Sequence, residues 1–335
     1  MKNILIIGGT RNMGYFLTQR LLEIGHKVTI LNRGMSEDDL PDTVYRLRAD
    51  RTDTQQMRRA LLGKSFDVVV DFVMHRGHDG QTLIDLLADK IEQYIFISSG
   101  QVYLTREGIN RPFSEDDYEG RVMPPPKDNT YAYEEWRYGM NKRECEDVFK
   151  TAYEDRKFPY TSLRLPMVNS ERDGFQRLYS YILRLGDGGS LLIPETPTYA
   201  LRHIYGHDVV RVIEQLIDTG QGKGRVFNIS QEETTSIDDF LRIVGKHMGV
   251  EVHLVRMKRS LLEANGFLPD CSPFSERWMS ELDNTRSKEE LGVTYTPLKD
   301  YLGKLVTHYT THKPPLPVGY KRRKQEIQIA EQVME

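Results

Sequence analysis

Residues 2–14 read KNILIIGGTRNMG, and the fold turns on this stretch. Ile4 to Ile7 form an apolar run of strand length. It empties into the loop Gly8-Gly9-Thr10-Arg11-Asn12-Met13-Gly14, and Met13 to Ile24 carries the spacing of an amphipathic helix. A glycine turn between strand and helix is a place to hold a pyrophosphate. Glycine lets the backbone turn sharply and approach an anion, while the helix start aims free N–H groups and its positive dipole end at the phosphates. Read as G-x-x-G-x-x-G, the loop has Gly8 and Gly14 at its ends and Arg11 where the middle glycine would stand.

Strand and helix patterns keep alternating. Lys27–Leu31, Val44–Ala49, Asp67–Phe72, Glu92–Ser98 and Tyr160–Leu165 read as further strands, with helices near Thr54–Leu62 and Gln81–Lys90 and a long helix before the sixth strand. Short continuous apolar strands separated by helices predict an α/β fold, a doubly wound parallel sheet with its ligand at the carboxyl ends of the strands. The first 168 residues are the expected dinucleotide-binding domain. Residues 169–312 begin in a Gly- and Pro-rich stretch and weave between the strand-like LRHIY, a helix over His207–Asp218, the strand RVFNIS and a helix capped by Ser236. They predict a smaller substrate lobe with segments returning to the first domain. Residues 313–335, with KPPLP and the basic run Lys321 to Lys324, predict a surface tail or oligomer contact.

Composition narrows the function. A net charge of −3 over 335 residues supplies no global field for nucleic acid. No apolar stretch has the length of a membrane helix, and Ile4–Ile7 is too short for a signal peptide. Two cysteines, Cys145 and Cys271, make neither a disulfide framework nor a metal cluster, and His75, His78, His203 and His207 lack ligand spacing, so no metal is expected and the reducing cytoplasm is the expected location.

Chemistry needs more than a glycine loop. Tyr138 and Lys142 lie four apart on one helix face, where the ammonium favours the phenolate. The same spacing occurs at Tyr153/Lys157, Tyr295/Lys299, Tyr309/Lys313 and Tyr320/Lys324, so position must choose. Tyr138 is near the start of the long helix, on the ligand side of the sheet, whereas Tyr153 is about 22 Å further along a continuous helix. Strand five ends in ISSGQVY, which puts the Ser99 hydroxyl at the same edge. Two donors on one oxygen polarise a carbonyl for hydride attack.

With these residues in place, the chain resembles the extended short-chain dehydrogenase/reductases of the NAD-dependent epimerase/dehydratase type. The glycine loop, SSGQVY, YGMNK, Leu163–Pro166, LRHIYGHDVV at Leu201–Val210, Phe227–Ser230 and LDNTRSKEELG at Leu282–Gly292 follow the family's order over roughly residues 1–312. The resemblance implies a Rossmann-type sheet with Tyr138 as acid/base, Lys142 on the nicotinamide ribose and Ser99, with Gln101, on the substrate. It places Leu165, Pro166 and Val168 near the nicotinamide and Asp50-Arg51 near the adenine, and it adds Phe72, Val73 and Ser98 to the cofactor contacts. Arg202 matches an arginine on the diphosphate of nucleotide sugars, which makes a nucleotide sugar or a related hydroxy or carbonyl compound the expected substrate. Pairing through the long helix is a family habit, so a homodimer is expected.

Departures sharpen the reading. The GGTRNMG loop is closer to the atypical members that include the chloroplast stem-loop-binding proteins. Asn32-Arg33 stands where NAD-preferring relatives carry an acid, and Arg11 with Arg33 forms a fork for a 2′-phosphate, so NADP is expected over NAD. Met167 falls where many nucleotide-sugar enzymes place asparagine, and Gly100-Gln101 lacks the acidic pair of a dehydratase. Two other readings stay open: an RNA-binding protein on the same fold, which needs a basic groove, and an NADP sensor without turnover, which has no use for Tyr138.

Overall fold

The structure is a computed structural model that describes residues 1–334. The chain divides into two compact units. The first comprises residues 1–166, 206–230 and 282–294, and the second residues 167–205, 231–281 and 295–335.

The first unit is built on a parallel sheet. Its strands β1 (Asn3–Ile7), β2 (Lys27–Asn32), β3 (Tyr45–Arg48), β4 (Val68–Asp71), β5 (Gln93–Ser99) and β6 (Tyr160–Leu165) are joined by the strand Arg225–Asn228. From that strand the order runs β6, β5, β4, β1, β2, β3, every pair parallel. RVFNIS thus returns to the main sheet, its phenylalanine in register with Leu163 of β6.

Helices α1 (Asn12–Glu23), α2 (Thr54–Leu61), α3 (Gly77–Leu87), α4 (Gln101–Leu104) and α5 (Tyr131–Arg156) connect the strands. Apolar residues from both layers, among them Leu5, Val69, Leu83, Ile84, Phe96 and Phe149, close one core. The order reverses between β1 and β4, where a doubly wound sheet opens its ligand crevice. The expected strand and helix cores recur, with one clear shift. α3 begins at Gly77 instead of Gln81, and a Cβ on Gly77 would stand 3.1 Å from the Glu144 carbonyl, a tight approach to α5. It ends at Leu87, before Asp89 turns to φ 60°.

The second unit has its own core, with Leu178, Tyr181, Phe240, Phe274, Tyr301 and Leu305 buried together. Its helix Ile237–Met248 starts where the sequence indicates, the Ser236 hydroxyl accepting from the Asp239 N–H at 3.1 Å. The segment read as a surface tail is a correction. Its helix Arg323–Met334 places Glu326, fully buried, against Arg184 at 3.0 Å and Arg323 at 2.8 Å, and Arg323 also binds Asp187. One cation of the basic run is therefore structural, and a local count of charges does not reveal which. Among the described residues no helix is long and apolar enough to cross a membrane.

Candidate active site

The glycine loop sits at the reversal point and touches both strands that flank it. Gly8 (φ 115°) and Gly9 (φ 57°) adopt backbone that side chains disfavour. A Cβ on Gly8 would lie 3.2 Å from Phe72 and Val73 at the end of β4, and one on Gly9 would lie 2.7 Å from Ile30 of β2. Gly14 lets α1 come close, since its Cβ would meet the Gly9 nitrogen at 3.0 Å. Thr18 ties helix to loop by donating to the carbonyls of Gly9 and Gly14. Arg11, the departure from the glycine pattern, is extended at φ −132°, ψ 150°, so the backbone there has no need of glycine, and its side chain is exposed. Thr10 is buried, and Asn12 opens α1 at φ 46° with Met13 following. The cradle fits a dinucleotide pyrophosphate.

At the ends of β2 and β3 three side chains gather. Asn32 accepts from the Gly34 N–H at 2.9 Å and from the Arg48 guanidinium. Exposed Arg33 stands 4.0 Å from Asp50. Arg48 escaped the sequence reading, because one more arginine in RLRAD has no periodicity to distinguish it. Asp50 closes the turn into α2 by accepting from Thr52 N–H and hydroxyl, and these bonds hold its carboxyl below the usual range. Arg51, expected with Asp50 near the adenine, has its guanidinium buried against Asp71 at 2.8 Å. Asp71 is fully buried at the end of VVVD. An acid closing an apolar strand was the available signal for that pair.

At the carboxyl end of β5, Ser98 and Ser99 part company. Ser98, expected among the cofactor contacts, is buried and donates its hydroxyl to Glu146 of α5, which also binds Arg164 of β6. The Ser99 oxygen accepts from Gln101 N–H at 3.2 Å, and Gln101 reaches Glu135 of α5 with its amide. The Gly100 N–H donates to the Leu165 carbonyl, tying this corner to the Leu165-Pro166 end of β6. A Cβ on Gly139 would lie 2.7 Å from the Gln101 carbonyl, so glycine after Tyr138 is what lets α5 close on α4. Tyr138 is half-buried, with the His75 ring 5.9 Å from its own.

Lys142 is 2% exposed. Its Nζ donates to the carbonyls of Met74 and Ile97, both at 2.8 Å, and lies 4.7 Å from the Phe96 ring centre and 5.8 Å from that of Tyr138. Burial pushes its pKa down to about 8. An ammonium has three donors, so two are spent on backbone and one remains.

Val168 and Arg202 belong to the second unit. Val168 is in register with Ile204, and the Arg202 Nε donates to the Gln231 carbonyl at 2.9 Å. Among the described residues no group of three or more His, Cys, Asp or Glu is arranged to hold a metal.

Known proteins place this geometry in a family. The profile described as the NAD dependent epimerase/dehydratase family matches residues 4–230, more than half of the chain. The chain belongs to that family. It is 25% identical over 261 residues to the chloroplast stem-loop binding protein of 41 kDa b of Arabidopsis thaliana, covering 74% of this chain and 64% of that protein. It is 24% identical over 152 residues to 2′-dehydrokanamycin reductase of Streptomyces kanamyceticus, covering 45% of this chain and 39% of the reductase. The match thus spans less than two thirds of either relative. Among solved structures, UDP-glucose 4-epimerase of Thermotoga maritima superposes with a TM-score of 0.72 at 19% identity, over 92% of this chain and 99% of that one. The dTDP-glucose 4,6-dehydratase of Bacillus anthracis, solved with NAD, gives 0.72 at 14% identity, over 93% and 98%. These likenesses establish the Rossmann-type fold that the family shares.

Proposed function

We propose that this protein is an NADP(H)-dependent oxidoreductase or epimerase that uses Tyr138 as acid/base on a nucleotide sugar or a related hydroxy or carbonyl compound. The observation that carries the reading is the Tyr138–Lys142 couple, in which a buried ammonium stands 5.8 Å from the phenol ring. When bound, the dinucleotide gives or takes a hydride at a carbon bearing oxygen. Tyr138 moves the proton of that oxygen, Lys142 lowers the cost of the phenolate, and Ser99 orients the oxygen. Gly8 to Gly14 hold the pyrophosphate. Arg11, Arg33 and Arg48 present cations toward a 2′-phosphate, where a planar fork suits phosphate oxygens.

Nucleotide-sugar enzymes among the structural neighbours support that substrate class, with Arg202 for the diphosphate. The reductase relative supports simple carbonyl reduction as the other chemistry. Dehydration is the least favoured, since Gly100-Gln101 offers no acidic pair beside Ser99. The same reading makes the protein a cytoplasmic homodimer paired through α5.

The test combines the cofactor with a panel of UDP- and dTDP-sugars and small ketones. Deuterium from [4-2H]NADPH appears in the product of a reductase, and fluorescence titration gives tighter binding of NADPH than of NADH. Tighter binding of NADH overturns the 2′-phosphate assignment, and no turnover across the panel with retained NADPH binding favours a sensor. A second reading, RNA binding, is favoured by the stem-loop-binding relative. It requires RNA affinity that falls steeply with salt, against a chain of net charge −3.

A further inference from the structure

The turn after β4 is held by a buried ion pair that the proposed mechanism does not use. Asp71 receives Arg51 Nη1 on both carboxylate oxygens at 2.8 Å, the Tyr94 hydroxyl at 2.6 Å and the Val73 N–H at 2.9 Å. Asp71 and Tyr94 have no exposed surface, and the Arg51 side chain is 10% exposed. Arg51 reaches its partner with one nitrogen only. Its Nε and Nη2 are buried with no hydrogen-bond partner among the described residues, a geometry that maximal stability would not select. Three residues beyond Asp71 the Met74 carbonyl receives Lys142 Nζ.

We propose that the Arg51–Asp71 pair is the positioning element of the Tyr138–Lys142 couple, fixing the Val73–Met74 backbone that receives the ammonium and balancing the charge it faces. The proposal rests on the catalytic reading of that couple. The chain of contact runs from Arg51 to Asp71, from Asp71 to the Val73 N–H, and from the Met74 carbonyl to Lys142. Lys142 is faced by Asp71 from β4, Arg51 from the turn after β3 and His75 from the loop after β4, and by Tyr138, Cys145 and Glu146 from its own helix. Asp71 draws its pKa up and Arg51 draws it down. Without Arg51 the pull of Asp71 toward the charged form is unopposed, and without Asp71 the push of Arg51 away from it is. Paired, they let the ammonium stay near its balance point and keep its carbonyl in place. Arg51 and Asp71 are positioning residues, since neither touches the phenol.

The experiment follows the Lys142 Nζ resonance through a pH titration of the full chain labelled at lysine, with the signal assigned by its loss in Lys142→Met. Arg51→Gln is expected to raise the midpoint and Asp71→Asn to lower it, each by about one pH unit, while Arg51→Lys restores the parent value. Tyr94→Phe keeps both charges, removes one donor from Asp71 and is expected to raise the midpoint by less. It carries the test should Arg51→Gln not fold. Midpoints that stay put, or that move in one direction for Arg51→Gln and Asp71→Asn alike, overturn the proposal. A Tyr138→Phe variant that keeps turnover removes the catalytic reading without touching the titration. A titration blind to Arg51 and Asp71 removes the linkage without touching Tyr138.

Discussion

Gly14→Ala separates the glycine loop as a ligand cradle from the glycine loop as a mere turn. Gly14 lies in α1 with ordinary helical backbone, so alanine there gains about 1 kcal/mol of helix propensity. The new Cβ would stand 3.0 Å from the Gly9 nitrogen and 3.1 Å from its Cα, backbone atoms that cannot rotate away. Gly9 in turn is backed by Ile30 and Ile6. Relief requires the loop to lift by a few tenths of an ångström, an overpacking cost of about 1–3 kcal/mol. Net stability therefore falls by about 0–2 kcal/mol. The lifted loop no longer aims its N–H groups at the pyrophosphate, and loss of about 1.4 kcal/mol there weakens binding tenfold. Gly174→Ala is the control: no atom lies within 4 Å of its Cβ and its φ is unstrained, so a gain of about 0.4–1 kcal/mol with unchanged binding is expected. NADPH fluorescence titration and urea unfolding read both quantities. Parent-like NADPH affinity together with raised stability in Gly14→Ala would refute the close approach.

Two further perturbations probe buried charge. Glu326→Ala strips the counter-charge from Arg184 and Arg323 and the acceptor from the Leu192 N–H, so unfolding in urea should show a loss of about 3–5 kcal/mol; a loss below about 1 kcal/mol would return the C-terminal helix to the status of a surface tail. Lys142 gives a pH signature. With its folded pKa lowered to about 8, the unfolded chain binds the extra proton from pH 8 up to the ordinary lysine value, so the cost of burying the ammonium is full below pH 8 and is relieved as pH rises. The stability of the parent relative to Lys142→Met should rise through that window by about 1.4 kcal/mol per pH unit. A flat difference would mean that the lysine is not desolvated.

Much of the fold was legible because it is written in local pattern. Ile4–Ile7 before GGTRNMG, and VVV before Asp71, are apolar runs with no other reading, and the Tyr138–Lys142 spacing needed only the strand order to choose it from five. What escaped is non-local. RVFNIS reads as a strand anywhere, and only the register of Phe227 with Leu163 puts it on the main sheet. Nothing local in the sequence announces the ion pairs of Arg51 and Arg323, since their partners Asp71 and Asp187 are 20 and 136 residues away. Ser98 and Ser99 are equivalent on paper, and strand alternation turns one inward to Glu146 and leaves the other at the edge. Arg11 shows the opposite case, a visible departure whose extended backbone makes the missing glycine harmless.

The central claim is that Tyr138 carries the proton in hydride transfer. It is tested most directly by Tyr138→Phe, measured for turnover and for NADPH binding on the same preparation. The expected result is a fall in kcat of about 10²–10⁴-fold with NADPH affinity unchanged. Retained turnover with NADPH bound as in the parent would contradict it.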